Sequence, residues 1–146
     1  MLSNNTDAFM SDVCNLIDSG TEVILPVKGN SMVPFIIGGK DSVVLKKHHS
    51  LSVGDIVLAW ADNQYYVIHR IIHLYGNDIT LMGDGNVAVK EHCTKKDIMG
   101  KVLYVTDGQG AGKRHYVYST WRKIAVRLWM AFLPIRKYLL YIYRKL

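Results

Sequence analysis

Short hydrophobic runs separated by turn residues occupy the middle of the chain, from residue 21 to residue 107. The runs read TEVILPV, DSVVLKK, GDIVLAWA, QYYVIHRIIHLY, DITLMG and IMGKVLYVT. Gly-Gly, Asp-Asn and Gly-Asn-Asp sequences lie between some of them. β-Branched and aromatic residues favour strands, whereas Gly, Asn and Asp favour the turns that join strands. The pattern therefore predicts a mainly β fold, a compact antiparallel domain with strands of about five residues.

Both ends of the chain show helical spacing instead. Apolar residues recur at three- and four-residue steps in residues 7–18, which predicts a short N-terminal helix. Residues 119–146 show the same spacing with a longer apolar face, made of Trp121, Ile124, Ala125, Leu128, Ala131, Phe132, Ile135, Leu139 and Ile142. Pro134 is expected to kink or split this C-terminal helix. The predicted division is a helical segment at 1–20, a β domain at 21–107, a linker or strand at 108–118 with a glycine-rich hinge at 108–112, and an amphipathic tail at 119–146.

Positive charge is concentrated in the tail. The formal net charge of the chain is +6. The tail has no acidic residue and carries Arg122, Lys123, Arg127, Arg136, Lys137, Arg144 and Lys145. These residues lie on the half of the helical wheel opposite the apolar face. Such a helix suits an anionic membrane surface or a partner groove, and packing of its apolar face on the β domain is the plainer alternative. Its density of Leu and Ile disfavours nucleic acid as the partner.

The two cysteines and the hydropathy of the chain indicate a cellular compartment. Cys14 and Cys93 are far apart and form no CxxC pair, which favours a reducing environment. The first 20 residues lack the basic region of a signal peptide, and no apolar run reaches the roughly 18 residues of a spanning helix. We therefore expect a cytoplasmic protein, peripheral on the inner membrane face if its tail binds lipid. No metal or cofactor is expected, because the histidines and cysteines fit no zinc spacing.

Three segments carry residues that can do chemistry together: GNSMVPFI at 29–36, YVIHRII at 66–72 and MGDGN at 82–86. Ser31 follows a Gly-Asn pair that tolerates a sharp turn, so its hydroxyl can lie beside main-chain N–H groups able to bind an oxyanion. The imidazole of His69 can take the serine proton and return it to a leaving amine. Asp84 can accept a hydrogen bond from the other ring nitrogen. Each segment alone has a plainer explanation, as a turn serine, a core histidine or a hairpin turn.

In their order along the chain, these segments resemble type I signal peptidases and their LexA-type relatives. GNSMVPFI is similar to the Ser-Met-x-Pro box, and GDIVLAW is similar to the strand that follows it. MGDGN and IMGKV resemble the closing segments of the domain. Most bacterial members have lysine at the base position, so His69 resembles the endoplasmic-reticulum and spore-former branch. The resemblance covers about residues 27–102.

The resemblance implies a signal-peptidase/LexA-like β domain that hydrolyses an amide bond through an acyl-enzyme. The implied catalytic residues are Ser31, His69 and Asp84. The implied oxyanion or substrate groove is formed by Asn30, Ser31, Met32 and Pro34. The substrate would be a peptide or protein bound as an extended strand, with small apolar residues before the cleaved bond.

Two departures from the family pattern affect these expectations. The family usually has a further aspartate shortly after the Gly-Asp-Asn segment, and here Glu91 is the acidic residue in that region. The N-terminal transmembrane anchor of secretory signal peptidases is not found in the sequence. The third catalytic residue therefore stays open between Asp84 and Glu91.

The leading hypothesis is a serine endopeptidase that trims a leader or pro-segment from a peptide or protein. One alternative is a peptide-binding module of the same fold that does not cut. The other is a self-cleaving regulator of the LexA type, although only about 30 residues precede Ser31, too few for an ordinary DNA-binding domain.

Overall fold

A helix, an antiparallel sheet and two further helices follow one another along the chain. The computed structural model describes residues 3–107 and 112–146, with side chains from residue 6 onward. The helices are α1 (Ser3–Asp18), α2 (Thr120–Ala131) and α3 (Arg136–Lys145). The strands are β1 (Val23–Pro26), β2 (Asp41–Lys46), β3 (Ile56–Ala61), β4 (Tyr65–Tyr75), β5 (Asp78–Met82), β6 (Glu91–Thr94), β7 (Ile98–Asp107) and β8 (Arg114–Tyr116). The predicted hinge at 108–112 lies, except for Gly112, outside the described residues.

All strand pairs of the sheet are antiparallel, and the strand order is β1-β2-β7-β3-β4-β5-β6, with β8 added to β7. The predicted mainly β antiparallel fold with a helix at each end is confirmed. The expected strand length of about five residues is wrong for β7, which has 10 residues, and for β4, which has 11. Its first half pairs with β3 and its second half with β5, so two neighbours in succession keep it extended. The strand β6 (EHCT) was not among the predicted runs, and its pairing with β5 explains why a polar segment is extended.

The main core lies between α1 and the sheet. Met10, Val13 and Ile17 of α1 are buried in one cluster with Leu58 and Val102 of the sheet. Their three- and four-residue spacing places them on one face of the helix. The helix starts at Ser3, a few residues earlier than predicted, and ends as expected before Gly20, whose φ is +91°. One side of the sheet is thereby covered and α1 is held beside β1.

The tail forms two helices that Pro134 separates, as predicted, within a 3₁₀ turn at Leu133–Ile135. Its predicted apolar face points largely to solvent, and a different face packs on the β domain. Trp129 and the buried Arg136 and Leu140 belong to that inner face. The tail's basic residues are therefore not all in water. No helix in the described parts of the chain is long and apolar enough to cross a bilayer.

Candidate functional site

Ser31 lies in a tight turn between β1 and β2. Gly29 has a φ of +76°, a conformation that a side chain would strain. The N–H of Val33 donates to the carbonyl of Asn30 at 3.4 Å, and the N–H of Phe35 donates to the carbonyl of Met32 at 3.1 Å. The Met32 side chain is buried in the core and anchors the turn. Ser31 is left half-buried at the surface.

The loop at residues 83–86 packs directly against this turn. The N–H of Gly85 donates to the carbonyl of Ser31 at 2.7 Å. A methyl group on Gly83 would collide with the same carbonyl, and one on Gly85 would lie 2.5 Å from the carbonyl of Asn30. Both glycines are therefore required because two main-chain segments approach closely, not because of a positive φ.

His69 lies next to this junction. It is on β4 opposite Val57 of β3, and only 6% of its surface is exposed. A methyl group on Gly83 would lie 3.2 Å from its Nε2 atom, so the ring edge faces the loop that contacts Ser31. Ser31 and His69 also line the same cleft, whose volume is about 910 Å³. The structure thus brings the predicted serine and histidine to one site.

The other ring nitrogen of His69 meets a carboxyl group. Nδ1 lies 2.9 Å from Oε2 of Glu91, and this glutamate, at the start of β6, is 3% exposed. A carboxylate can only accept hydrogen bonds, so an ionised Glu91 requires the ring proton on Nδ1. Nε2 then carries a lone pair and faces the serine turn. A histidine held in this way is able to accept a proton at Nε2.

Asp84 does not meet His69, which corrects the sequence expectation. Its two carboxylate oxygens accept from Nε and Nη2 of Arg70 at 2.7 and 2.6 Å. Arg70 directly follows His69 on β4, and successive side chains of a strand point to opposite faces of the sheet. Asp84 lies on the arginine's side, whereas Glu91 reaches the histidine's side. Of the two acidic residues that the sequence left open, the structure places Glu91 on His69.

The Arg70–Asp84 ion pair is buried, and both residues make further contacts. Nη1 of Arg70 donates to the carbonyl of Gly54 at 2.7 Å, and its guanidinium lies 5.4 Å from the centre of the Phe35 ring. The carbonyl of Asp84 accepts from the indole N–H of Trp129 at 2.9 Å. Such bidentate contacts hold the loop at a set distance from β4. Asp84 is therefore placed to support the loop.

The predicted groove residues divide between the cleft and the core. Ser31 lines the cleft, but the Met32 side chain does not, because its Sδ atom accepts from the N–H of Asp84 at 3.5 Å inside the core. The roles proposed for Asn30 and Pro34 stay predictions. Sequence reasoning missed most of the cleft wall, including Phe9, Met10, Leu25, Leu58, Trp60 and Tyr66. These residues come from four elements that only folding brings together.

Burial changes the pKa of one ionisable group in the cleft wall. Burial raises the pKa of the Tyr66 phenol, and the neighbouring Cys14 and Asp7 raise it further. The Tyr66 phenol in the cleft wall is therefore uncharged at physiological pH.

Within residues 3–107 and 112–146, no group of three His, Cys, Asp or Glu side chains could hold a metal ion.

An antiparallel β domain with a serine turn and a buried histidine–carboxylate pair at one cleft has the framework of a serine peptidase. Residues 2–103 match the family model described as Peptidase S24-like, so the chain belongs to that family. Its members are generally serine peptidases, and the match supports the LexA and signal-peptidase superfamily. The match spans α1 to β7 and does not include the tail. No curated protein matches the chain significantly.

Proposed function

We propose that this protein is a serine endopeptidase of the Ser–His kind that removes a leader or pro-segment from a peptide or protein. One observation carries the proposal: Ser31 and His69 line the same cleft, and Nδ1 of His69 is held 2.9 Å from the buried Glu91. The roles are nucleophile for Ser31, general base for His69 and positioning residue for Glu91.

The reaction is an acyl transfer in two steps. The Ser31 Oγ atom attacks the peptide carbonyl carbon while His69 Nε2 takes the hydroxyl proton. The carbon–nitrogen bond then breaks, the proton passes to the amine, and an ester to Ser31 remains. Water attacks this ester with the same base, which releases the acid and restores the serine. The main-chain N–H of Ser31 is the proposed oxyanion donor.

The cleft suits an extended peptide. The strand β1 forms one edge of the described sheet, and residues of β1 and β4 line the cleft together with Ser31. An edge strand can add a peptide through main-chain hydrogen bonds, while alternate side chains enter pockets. The apolar side chains of Leu25, Leu58 and Trp60 favour an apolar peptide at this wall.

A serine-directed fluorophosphonate probe and a mixture of unstructured peptides test this function. The wild type should form a one-to-one adduct, seen by intact-mass spectrometry, and should cleave members of the mixture. Ser31→Ala should do neither, while Ser52→Ala, a serine outside the cleft, should do both. Cleavage that persists in Ser31→Ala contradicts the proposal.

The same experiment separates the alternatives. A peptide-binding module would retain peptides with no adduct and no cleavage. A self-cleaving regulator would show a spontaneous decrease in its own mass that Ser31→Ala abolishes.

A further inference from the structure

The inner face of the tail is firmly attached to the β domain. Besides the indole contact to Asp84, the buried guanidinium of Arg136 donates to the carbonyl of Asn86 at 3.4 Å and to that of Trp129 at 3.3 Å. Leu140 of α3 is fully buried, and the Trp129 ring packs edge-on against Phe35. These contacts determine which way α2 and α3 face. The opposite side of the tail has a defined direction toward solvent.

That outer side is apolar. Trp121 is 80% exposed and Leu128 is 53% exposed, and both lie on one face of α2 with Phe132 just after it. The exposed large apolar side chains of the tail are Trp121, Ile124, Leu128, Phe132, Ile135, Tyr138, Tyr141, Ile142, Tyr143 and Leu146. A soluble helix ordinarily buries its apolar face and exposes its polar one. In this tail the apolar face is exposed, whereas Arg136 is buried. An exposed apolar face of this kind marks a contact with an apolar surface outside the domain.

Cations lie beside this outer face. The exposed Lys137 and Lys145 of α3 lie over aromatic rings of this face, with Nζ 4.9 Å from the centre of the Tyr138 ring and 5.6 Å from that of the Tyr141 ring. Lys123 and Arg127 of α2 instead border a second cleft of about 570 Å³ between α2 and the sheet. Residues 112–146 contain no acidic side chain, and none of the ion pairs among the described residues involves Lys137 or Lys145. The uncompensated charge is therefore positive next to the apolar face.

We propose that the outer face of α2 and α3 docks on an anionic phospholipid membrane. Apolar and aromatic side chains enter the boundary between headgroups and acyl chains, and lysine and arginine beside them attract lipid phosphates. Each basic residue near such a surface strengthens the attraction to anionic lipid. A second copy of the chain is a poorer occupant, because two like-charged faces would repel each other.

The proposal is tested with the full chain and sedimented vesicles. Vesicles with one third phosphatidylglycerol should bind the protein at least tenfold more tightly than vesicles of phosphatidylcholine alone, and the preference should shrink in 0.5 M salt. The emission of Trp121 should move to shorter wavelength on binding, and Trp121→Phe should remove most of that shift. Equal binding to both vesicle types, or none to either, overturns the proposal.

Paired variants connect the binding to this surface. Trp121→Ser with Leu128→Ser should weaken binding at least tenfold. The control Tyr75→Ser changes an aromatic residue outside the tail that is 87% exposed, and it should leave binding unchanged. Lys137→Gln with Lys145→Gln should reduce the preference for anionic vesicles at least fivefold. Lys95→Gln with Lys96→Gln removes the same charge from an exposed turn elsewhere and should leave binding unchanged.

Two outcomes of these measurements decide against lipid. If the tail and control variants bind alike, the surface is not the docking site. If the wild type sediments as a dimer that the Trp121 and Leu128 substitutions dissociate, a second copy occupies the surface. The substituted side chains are exposed, so thermal unfolding should be unchanged and a loss of binding is not a loss of fold.

Discussion

The Nδ1 atom of His69 lies 2.9 Å from Oε2 of Glu91, and both side chains are almost completely buried. Burial keeps water from competing for this contact, so the ring has one orientation and one preferred tautomer. The neighbouring residue Arg70 binds the other candidate carboxylate, Asp84, through two hydrogen bonds. Two adjacent residues of one strand thus contact two different carboxylates. We therefore expect substitutions of Glu91 and of Asp84 to have different effects.

Glu91→Gln should impair catalysis more than folding. A glutamine carbonyl can still accept from Nδ1, but it no longer stabilises the imidazolium that forms during proton transfer. We expect the cleavage rate to fall by roughly 100-fold or more, with KM nearly unchanged. Steady-state kinetics on any peptide found to be cleaved measures this. A rate within twofold of the wild type contradicts the role of Glu91.

Asp84→Asn should impair folding instead. It leaves Arg70 buried without its partner charge, which should cost about 3 kcal/mol or more. For a chain of this length, Tm should fall by roughly 10 °C in a calorimetric or circular-dichroism melt. Asp78→Asn, at an exposed hairpin position, is the control and should change the free energy of unfolding by less than about 0.5 kcal/mol. Equal melts for the two variants contradict a structural role for the pair.

Gly83→Ala should separate the serine turn from the histidine. The added methyl group would collide with the carbonyl of Ser31 and would lie 3.2 Å from Nε2 of His69, so the loop must move. We expect at least a 100-fold loss of cleavage, because small displacements of reacting groups have large effects on rate. In Gly20→Ala the cost comes from the φ of +91° alone, so this control should lose stability and keep the catalytic rate. Full activity in Gly83→Ala contradicts the close approach.

Trp129→Phe should loosen the attachment of the tail to the loop. It removes the 2.9 Å hydrogen bond to the carbonyl of Asp84 and should cost about 1 kcal/mol. Hydrogen exchange at the Gly85 amide, which donates to Ser31, should become several-fold faster. Trp121→Phe makes the same chemical change at an exposed position and should leave this exchange rate unaltered. Identical exchange in the two variants would show that the tail does not support the loop.

The thiol of Cys93 should react slowly at neutral pH. Burial raises its pKa to about 11, and the carboxylates of Asp97 and Asp62 also raise it. Because the thiolate is the reactive form and a raised pKa favours the neutral thiol, only about one thiol in a thousand is ionised at pH 8. In a Cys14→Ser variant, alkylation by iodoacetamide should accelerate about tenfold per pH unit between pH 8 and 10. A rate that levels off below pH 9 contradicts the raised pKa.

Much of the β domain could be predicted from local patterns. Alternating apolar runs and turn residues indicate strands wherever a segment covers a core, as in β3 and β5. They fail for β6, whose polar residues are extended because of pairing with β5. The spacing of Met10, Val13 and Ile17 likewise indicates a helix with one buried face.

The sequence by itself determined the candidate nucleophile and base, because Ser31 and His69 lie in short segments whose order resembles a peptidase family. It also determined that Pro134 would interrupt the tail, since proline lacks the main-chain donor that a helix needs. Only the tertiary structure decided that Glu91 meets His69 and that Asp84 meets Arg70. Strand alternation separates the faces of His69 and Arg70, but which acid reaches each face depends on how β5, β6 and the loop between them pack. The tertiary structure also decided which face of the tail helices is buried. The contacts that Trp129, Arg136 and Leu140 make with the β domain leave the apolar face of the sequence pattern exposed to solvent.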